Sequence, residues 1–366
     1  MRAYFYQKYN TLKERILIVG GGLSGLTTAY LLSKQDIKAT ILEASPRLGG
    51  RIQTTTGTLE TPLELGATWF SDMHQNLCTL IDELRLKKFK QFSKGKSLFQ
   101  AKSFDPPQEF FVPEPQSPSY RIADGTQTLI DTLANRLDNE NIKLNTKVIM
   151  ITDLGNELEV VTSNGQKLQV DKVILCLPPR LVGLQIQFLP ELPNSISKVL
   201  PTVQTWMAGS IKFVLEYGNP FWQNSGYSGL LFSHSGIVSE MHDHTNAEEN
   251  KFGFTGFLNS GAISYSQEVR KEFVLRQLTE LLGNEVLNYS SYSDKVWTDE
   301  FVMSGNQAIL RPHQNNGHPL LQNSYMNNKL FFSGTETATE FAGYMEGAII
   351  SALRVFEELK SNPKGK

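Results

Sequence analysis

The chain has 366 residues, 40% of them hydrophobic, which is enough for about two domains with a packed core. Its 35 lysines and arginines against 37 aspartates and glutamates give a formal charge of −2, so overall charge favours neither nucleic acid nor an anionic membrane as a partner. Two distant cysteines, Cys78 and Cys176, lie outside any CxxC pattern and argue against a disulfide framework or a zinc site.

No stretch reaches the uninterrupted apolar length of a membrane span, and residues 1–15 lack the apolar core of a signal peptide. The sequence therefore predicts a soluble, cytoplasmic protein. Cys176 lies within the apolar run VILCLPP and is predicted to be a buried, reduced thiol.

The first predicted element is a strand, Ile16–Val19, that runs into a glycine-rich turn. Gly20, Gly22 and Gly25 follow it at GxGxxG spacing, and a helical pattern begins at once. The first glycine permits a tight turn, the second lets the backbone approach a pyrophosphate, and the third lets the helix pack closely on the strand. The helix N-terminus favours an anion. Glycine-rich strand ends also occur for structural reasons, and the motif alone would also allow NAD.

A second predicted strand, residues 39–42, delivers Glu43 to the position about 20 residues on where an acid accepts hydrogen bonds from a ribose 2′-OH. An acid there disfavours NADP, because it repels the 2′-phosphate. The run SPRLGGR follows, in which Arg47 and Arg51 offer charge and forked donors to phosphates.

The combination of GGGLSGL, LEAS and RLGGR resembles the FAD-binding N-terminus of the flavin amine oxidase superfamily, which includes monoamine, polyamine and L-amino acid oxidases. The resemblance implies that Arg51 contacts the FAD pyrophosphate and that Arg47 supports it. The segment ELGATW is similar to an element that lies against the flavin in this family, which implies that Trp69 is near the flavin. An isolated tryptophan at this position would instead indicate simple core packing.

Residues 75–86 carry the apolar spacing of an amphipathic helix, and His74 before it is predicted to be a cap or surface residue. Lysines between residues 87 and 96 are predicted to form a solvated face, and the prolines of residues 106–118 indicate extended segments. The resembling family has longer helices over its substrate cavity here, so the resemblance implies a shortened lid.

A helix after Thr126 and a strand and turn over residues 142–151 are predicted next. By resemblance, Val148 binds the adenine part of FAD through its backbone. The alternation after Leu158 predicts a hairpin that turns at Asn164-Gly165. A β-meander of this kind, inserted between Rossmann strands, is typical of FAD-binding members of the fold.

Ile211, Phe213 and Leu215 alternate on one face of a predicted strand, with Lys212 and Val214 on the other. Spacing alone predicts an exposed lysine. However, IKFVLEYGNPFW resembles the family's lysine-bearing strand, and this implies that Lys212 is buried and holds a water against flavin N5.

The segment WTDEFVMSGNQ, beginning at Trp297, resembles a loop that approaches the flavin in monoamine oxidases. Asn306 and Gln307 stand where covalent members have a cysteine, so the resemblance implies non-covalent FAD. Ala308 stands in place of a tyrosine of the family's aromatic amine cage, which leaves that cage at best half present.

The C-terminal match GTETAT…GYMEGA resembles the family most closely. A strand, a glycine turn and a helix beginning near Met345 would place a positive helix end beside the flavin pyrimidine. By resemblance, Gly334 and Glu336 border the pyrophosphate and ribityl chain, the N–H of Met345 meets the flavin C2 carbonyl region, and Tyr344 is the surviving cage aromatic.

The predicted fold class is α/β: a Rossmann-type FAD-binding domain with an inserted β-meander and a smaller, discontinuously inserted α+β substrate domain. The FAD domain is assigned to residues 1–73, 120–203 and 298–366, and the substrate domain to residues 74–119 and 204–297. The predicted catalytic residues are Lys212 and Tyr344. The predicted cofactor-binding residues are Gly20, Gly22, Leu23, Ser24, Gly25, Glu43, Ala44, Arg47, Gly49, Gly50, Arg51, Gly66, Ala67, Thr68, Trp69, Val148, Trp297, Gly334, Glu336, Tyr344 and Met345.

The resemblance implies an amine oxidase that transfers hydride to flavin N5, releases an imine to hydrolysis and passes electrons to O2 as H2O2. Its partners are then a small amine and O2, with a homodimer as one option for the oligomeric state. A dehydrogenase or desaturase of the same superfamily, acting on a non-amine substrate with another electron acceptor, is a second hypothesis. A catalytically silent FAD-binding scaffold is a third.

Overall fold

The computed structural model describes residues 14–113, 117–298 and 311–361. The helices are α1 (Leu23–Ser33), α2 (Gln75–Glu83), α3 (Gln127–Asn135), α4 (Pro179–Gln185), α5 (Asn194–Val199), α6 (Phe221–Asn224), α7 (Gln267–Leu282) and α8 (Met345–Ser361). The strands are β1 (Ile16–Val19), β2 (Ala39–Leu42), β3 (Thr54–Thr56), β4 (Pro62–Glu64), β5 (Lys88–Lys90), β6 (Lys96–Gln100), β7 (Gln108–Phe110), β8 (Tyr120–Ile122), β9 (Ile142–Lys143), β10 (Val148–Asp153), β11 (Leu158–Thr162), β12 (Lys167–Val170), β13 (Lys172–Leu175), β14 (Gln187–Leu189), β15 (Ile211–Tyr217), β16 (Tyr227–Ser233), β17 (Val238–Asp243), β18 (Phe252–Leu258), β19 (Tyr289–Val296) and β20 (Leu330–Phe332).

A five-stranded parallel sheet, in the order β20-β13-β1-β2-β9, forms the centre of one half of the molecule. Both of its faces are covered, which explains why its strands are apolar without alternation. On β1, Ile16 and Ile18 pack towards α1, α2, α3 and α8. Leu17 and Val19 pack on the opposite face, against the strands that follow β9.

Those strands form a second sheet in the order β12-β11-β10-β14, in which β10, β11 and β12 are antiparallel neighbours. The hairpin predicted at Asn164-Gly165 is present between β11 and β12. The strand predicted over residues 142–151 is two strands, because β9 joins the parallel sheet whereas β10 joins this meander.

A seven-stranded sheet, in the order β19-β15-β18-β17-β16-β6-β7, forms the other half. Val274 and Leu278 of α7 pack into its core, and the hydroxyl of Ser266 caps α7 by accepting the N–H of Val269 at 3.4 Å. Residues 74–119, predicted to belong to the substrate domain, are divided between the two halves of the molecule. Strands β6 and β7 join this sheet, whereas α2 packs in the core of the parallel half through side chains that include Leu77 and Ile81.

Among the residues that the structure describes, no helix combines the length and apolarity needed to cross a membrane.

Candidate functional site

A cavity of about 380 Å³ opens at the carboxyl ends of the parallel strands. Its wall includes the ends of β1 and β2, at Val19 and Leu42, and residues just after β13 and β20, at Cys176 and Gly334. Ligands of open parallel sheets bind in this position, because loops from several strands converge there. The cavity continues past Thr68 to the seven-stranded sheet, where Lys212 and Phe257 complete the wall.

All the residues predicted to bind the cofactor line this cavity, with the exception of Gly25. A Cβ on Gly25 would lie 2.0 Å from the carbonyl oxygen of Gly20, so this glycine allows α1 to pack against the turn rather than contact a ligand. Gly20 has a positive φ of 109°, and a Cβ there would lie 2.7 Å from the carbonyl oxygen of Cys176.

Glu43 closes the glycine-rich turn from the end of β2. Its carboxylate accepts the N–H of Gly21 at 2.6 Å and that of Ser45 at 2.8 Å. Ser24 acts similarly on the other side, where its hydroxyl accepts the N–H of Gly334 at 3.1 Å. Glu43 and Ser24 were both predicted to contact the cofactor, and each of them also joins separate segments of the cavity wall.

The two predicted arginines have different surroundings. Arg47 donates from its guanidinium to the carbonyl oxygens of Leu48, Gly50 and Ile52, at distances from 2.6 to 3.1 Å. It therefore holds the Gly49–Gly50 loop in shape. Arg51 makes a forked pair with the fully buried carboxylate of Glu336, at 2.7 and 3.1 Å. This pair joins the RLGGR loop to the GTE turn across the cavity.

Lys212 is buried, with 2% of its surface exposed. Its Nζ donates to the carbonyl oxygen of Gly66 at 2.8 Å and to the hydroxyl of Thr68 at 2.5 Å. It also lies 4.7 Å from the centre of the Trp69 ring. The exposure predicted from spacing alone is wrong, and the burial implied by the resemblance is found. The reason is that β4 and the segment after it cover this face of β15.

Burial lowers the pKa of Lys212 to about 7, although the carboxylate of Glu64 opposes the shift. A neutral lysine has two N–H groups and one lone pair. The two acceptors, Gly66 and Thr68, can satisfy both N–H groups, which leaves the lone pair for the cavity.

Trp69 and Trp297 are held by hydrogen bonds as well as by packing. The indole N–H of Trp69 donates to Oε1 of Gln91 at 2.9 Å, and that of Trp297 donates to the carbonyl oxygen of Leu65 at 2.8 Å. Because both rings line the cavity, these bonds fix the orientation of two flat walls.

Tyr344 lies at the junction of this cavity with a second, more open one, and 39% of its surface is exposed. The ring of Trp206 lies 4.7 Å from it, and the ring of His313 lies 6.5 Å from it at an interplanar angle of 7°. His74, predicted to be a cap or surface residue, does occupy the N-cap of α2 but is buried, with its ring 5.6 Å from that of Tyr344.

The sequence reasoning missed Trp206, His313 and Phe257, since none lies in a motif. The only signal for Trp206 was an aromatic residue shortly before the lysine strand. The predictions on Asn306, Gln307 and Ala308 fall outside the residues described. Cys176 is free, as predicted, but it is only partly buried because it forms part of the cavity wall.

The start of α8 also contacts α2. The carboxylate of Glu346 accepts the backbone N–H groups of Asn76 at 3.0 Å and Leu77 at 2.8 Å. These are N–H groups of the first turn of α2, which have no partner within the helix. Glu346 directly follows Met345, a residue of the cavity wall.

This geometry corresponds to a known family. A family model described as flavin containing amine oxidoreductase matches residues 23–104 and 100–359. The chain belongs to this family, and it is accordingly a flavin-dependent oxidoreductase of the amine oxidase type.

Among its curated relatives, the probable flavin-containing monoamine oxidase A of Dictyostelium discoideum is 23% identical over 449 aligned positions, which cover 94% of this chain and 97% of the relative. The flavin-containing amine oxidase B of Homo sapiens is 30% identical over 244 positions, covering 64% of this chain and 45% of the relative.

Two solved structures share the mixed α/β fold. Wild-type putrescine oxidase bound to putrescine has a TM-score of 0.83 at 20% identity, covering 96% of this chain and all of the other. Cyclohexylamine oxidase from Brevibacterium oxydans IH-35A has a TM-score of 0.81 at 18% identity, covering 95% of this chain and all of the other.

Proposed function

We propose that the protein oxidises a small amine with non-covalently bound FAD and O2 as electron acceptor. The observation that carries the proposal is the continuity of one cavity. It extends from the glycine turn and Glu43 to the buried Lys212 and the aromatic Tyr344.

The residues along this cavity suit FAD. At Gly22 a Cβ would meet nothing nearer than 4.0 Å, so the backbone there is open to a close ligand. Arg51 supplies N–H donors for a pyrophosphate, and Glu43 supplies an acceptor for ribose hydroxyls. Met345 begins a 17-residue helix whose N-terminus favours negative charge. These features support binding of the cofactor along the whole length of the cavity.

When bound, FAD supplies the acceptor at N5 for a hydride from the carbon next to a neutral amine nitrogen, and O2 afterwards takes the two electrons as H2O2. The substrate becomes an imine, which water hydrolyses to a carbonyl product and an amine or ammonia. Lys212 donates two N–H groups to Gly66 and Thr68. Its remaining proton or lone pair is directed towards the end of the cavity where the amine would react. The rings of Trp69 and Tyr344 line this part of the cavity, where they pack against the substrate and exclude water.

The test is anaerobic reduction of the purified yellow protein by a panel of amines that includes putrescine, cyclohexylamine and arylalkyl monoamines. The proposal expects bleaching of the flavin spectrum by at least one amine and H2O2 release on admission of air. Denaturation should release the flavin, which mass spectrometry identifies as FAD.

Bleaching without peroxide release, but with turnover on artificial acceptors, would favour a dehydrogenase over an oxidase. A flavin that neither amines nor dithionite can reduce would instead point to the silent scaffold.

A further inference from the structure

Glu64, a residue at the end of β4, lies at the junction of the two halves of the molecule, and its exposure is 2%. Its carboxylate accepts the backbone N–H of Thr126 at 2.5 Å and the hydroxyl of Thr54 at 3.2 Å. Both groups donate to this carboxylate, and these two hydrogen bonds favour its ionised form.

The backbone of Glu64 is fixed from the opposite side, by the seven-stranded sheet. Its N–H donates to Nε2 of His244 at 3.1 Å, and its carbonyl oxygen accepts the hydroxyl of Thr255 at 3.2 Å. Two residues later, the carbonyl oxygen of Gly66 accepts from Lys212. One short segment thus holds both a buried carboxylate and the acceptor of the buried lysine.

Lys212 has charged or titratable neighbours on several elements. Arg121 on β8 is buried, and its guanidinium lies 2.7 Å from Nδ1 of His244. Lys295 lies directly across from Lys212 in the register of β15 and β19. The charged or titratable groups that act on Lys212 include Glu64, Arg121, Glu240 and His244. The amine of Lys295 instead donates to Oε1 of Gln53 at 2.8 Å.

We propose that Glu64 is a positioning residue that sets the charge state of Lys212, through a carboxylate fixed between the two halves of the molecule. The proposal rests on the proposed function, since Lys212 acts there at the reacting end of the cavity. Glu64 does not line that cavity, and it acts on the chemistry only through the lysine.

The shifts of both groups agree with this role. Burial raises the pKa of the Glu64 carboxyl, and Lys212 lowers it. Burial lowers the pKa of Lys212, Glu64 raises it and Arg121 lowers it. Glu64 and Arg121 therefore act on the lysine with opposite signs, as their opposite charges require.

The experiment is an NMR titration of the holoenzyme labelled at the lysine side chains, with the Lys212 signal assigned by its absence in Lys212→Met. We expect Glu64→Gln to lower the pKa of Lys212 by about one pH unit or more, and Arg121→Gln to raise it. Glu64→Asp retains the negative charge, so the pKa of Lys212 should stay close to its wild-type value.

The control is Glu216→Gln. Glu216 is fully buried on the same face of the same strand, about 13 Å along it, and its carboxylate accepts the N–H groups of Leu59 and Thr61 at 3.0 and 3.1 Å. We expect this variant to leave the pKa of Lys212 unchanged.

If Glu64→Gln does not fold, Thr54→Val is the milder test, because it removes one donor to the carboxylate and should lower the pKa of Lys212 less. An unchanged pKa of Lys212 in Glu64→Gln, or in Thr54→Val where Glu64→Gln does not fold, overturns the proposal. Shifts of the same sign in Glu64→Gln and Arg121→Gln overturn it as well. The titration needs no amine turnover, so its result can be interpreted even if the proposed function is wrong.

Discussion

The two ends of the cavity are built from different kinds of interaction. At the glycine end, main-chain groups of neighbouring segments bond to one another, and side chains such as Glu43 and Arg47 hold them in place. At the lysine end, a buried side chain is held by acceptors that lie 144 and 146 positions away along the chain. The first end depends on close backbone packing, whereas the second depends on the docking of two sheets. Substitutions at the two ends should therefore impair the protein in different ways.

The largest effect is expected for Gly25→Ala at the glycine end. The added Cβ would lie 2.0 Å from the carbonyl oxygen of Gly20, so α1 or the turn must move. We expect a loss of about 3 kcal/mol in the free energy of unfolding, together with a lower flavin content. Urea denaturation and the ratio of flavin to protein absorbance measure both. Gly218→Ala is the control, since a Cβ there meets nothing within 4 Å; equal losses in both variants would contradict the packing role.

Lys212→Met should break the lysine end without unfolding the protein, because methionine fills a similar space and removes a buried amine. We expect the rate of flavin reduction by amine, or of its reoxidation by O2, to fall about 100-fold. Stopped-flow spectroscopy of each half-reaction measures this. Lys295→Met is the matched control. It removes the lysine directly across the sheet, whose Nζ donates to Oε1 of Gln53 at 2.8 Å. Unchanged half-reactions in Lys212→Met would remove the lysine from the mechanism.

Arg51→Lys tests the link between the RLGGR loop and the GTE turn. Lysine keeps the positive charge but loses the fork that pairs with both oxygens of Glu336. We expect FAD to bind about 10-fold more weakly, as measured by fluorescence on reconstitution of the apoprotein. Arg47→Lys should alter the loop without removing that pair, and an Arg51→Lys variant that binds FAD normally would disprove the assigned role.

The last prediction concerns the dependence of stability on pH. The folded-state pKa of Lys212, about 7, lies below the unfolded value of about 10.4, so the unfolded state binds one proton more between these values. The free energy of unfolding should therefore rise with pH in this window, by at most about 1.4 kcal/mol per pH unit. Urea denaturation at about pH 7 and about pH 9 should show a smaller rise for Lys212→Met than for the wild type. An equal rise in both proteins would mean that Lys212 does not titrate in this range.

The same contrast explains what the sequence could predict. The strand, turn and helix around Gly20 follow from local spacing, as does the hairpin at Asn164-Gly165, because neighbouring residues determine them. The burial of Lys212 could not follow from alternation, since a strand pattern does not show which segment will cover its polar face. Only the resemblance to a family supplied that information.

Contacts between distant residues were not predictable for the same reason. The contact between the rings of Trp206 and His313 near Tyr344 brings together residues separated by more than 100 positions in the sequence. The sequence could not predict the proposed role of Glu64 either. Within ELGATW it reads as a flank of a flavin-contacting element, and its partners Thr126 and His244 become neighbours only when the two halves dock.

The hydrogen bonds of Glu346 connect the cavity wall to the first turn of α2. Because Met345 lines the cavity and the next side chain caps α2, we expect a ligand that orders the start of α8 to tighten the first turn of α2 as well. By linkage, whatever loosens that turn weakens the ligand in equal measure. The amides of Asn76 and Leu77 should therefore report occupancy of the cavity as slower hydrogen exchange, although neither residue lines its wall.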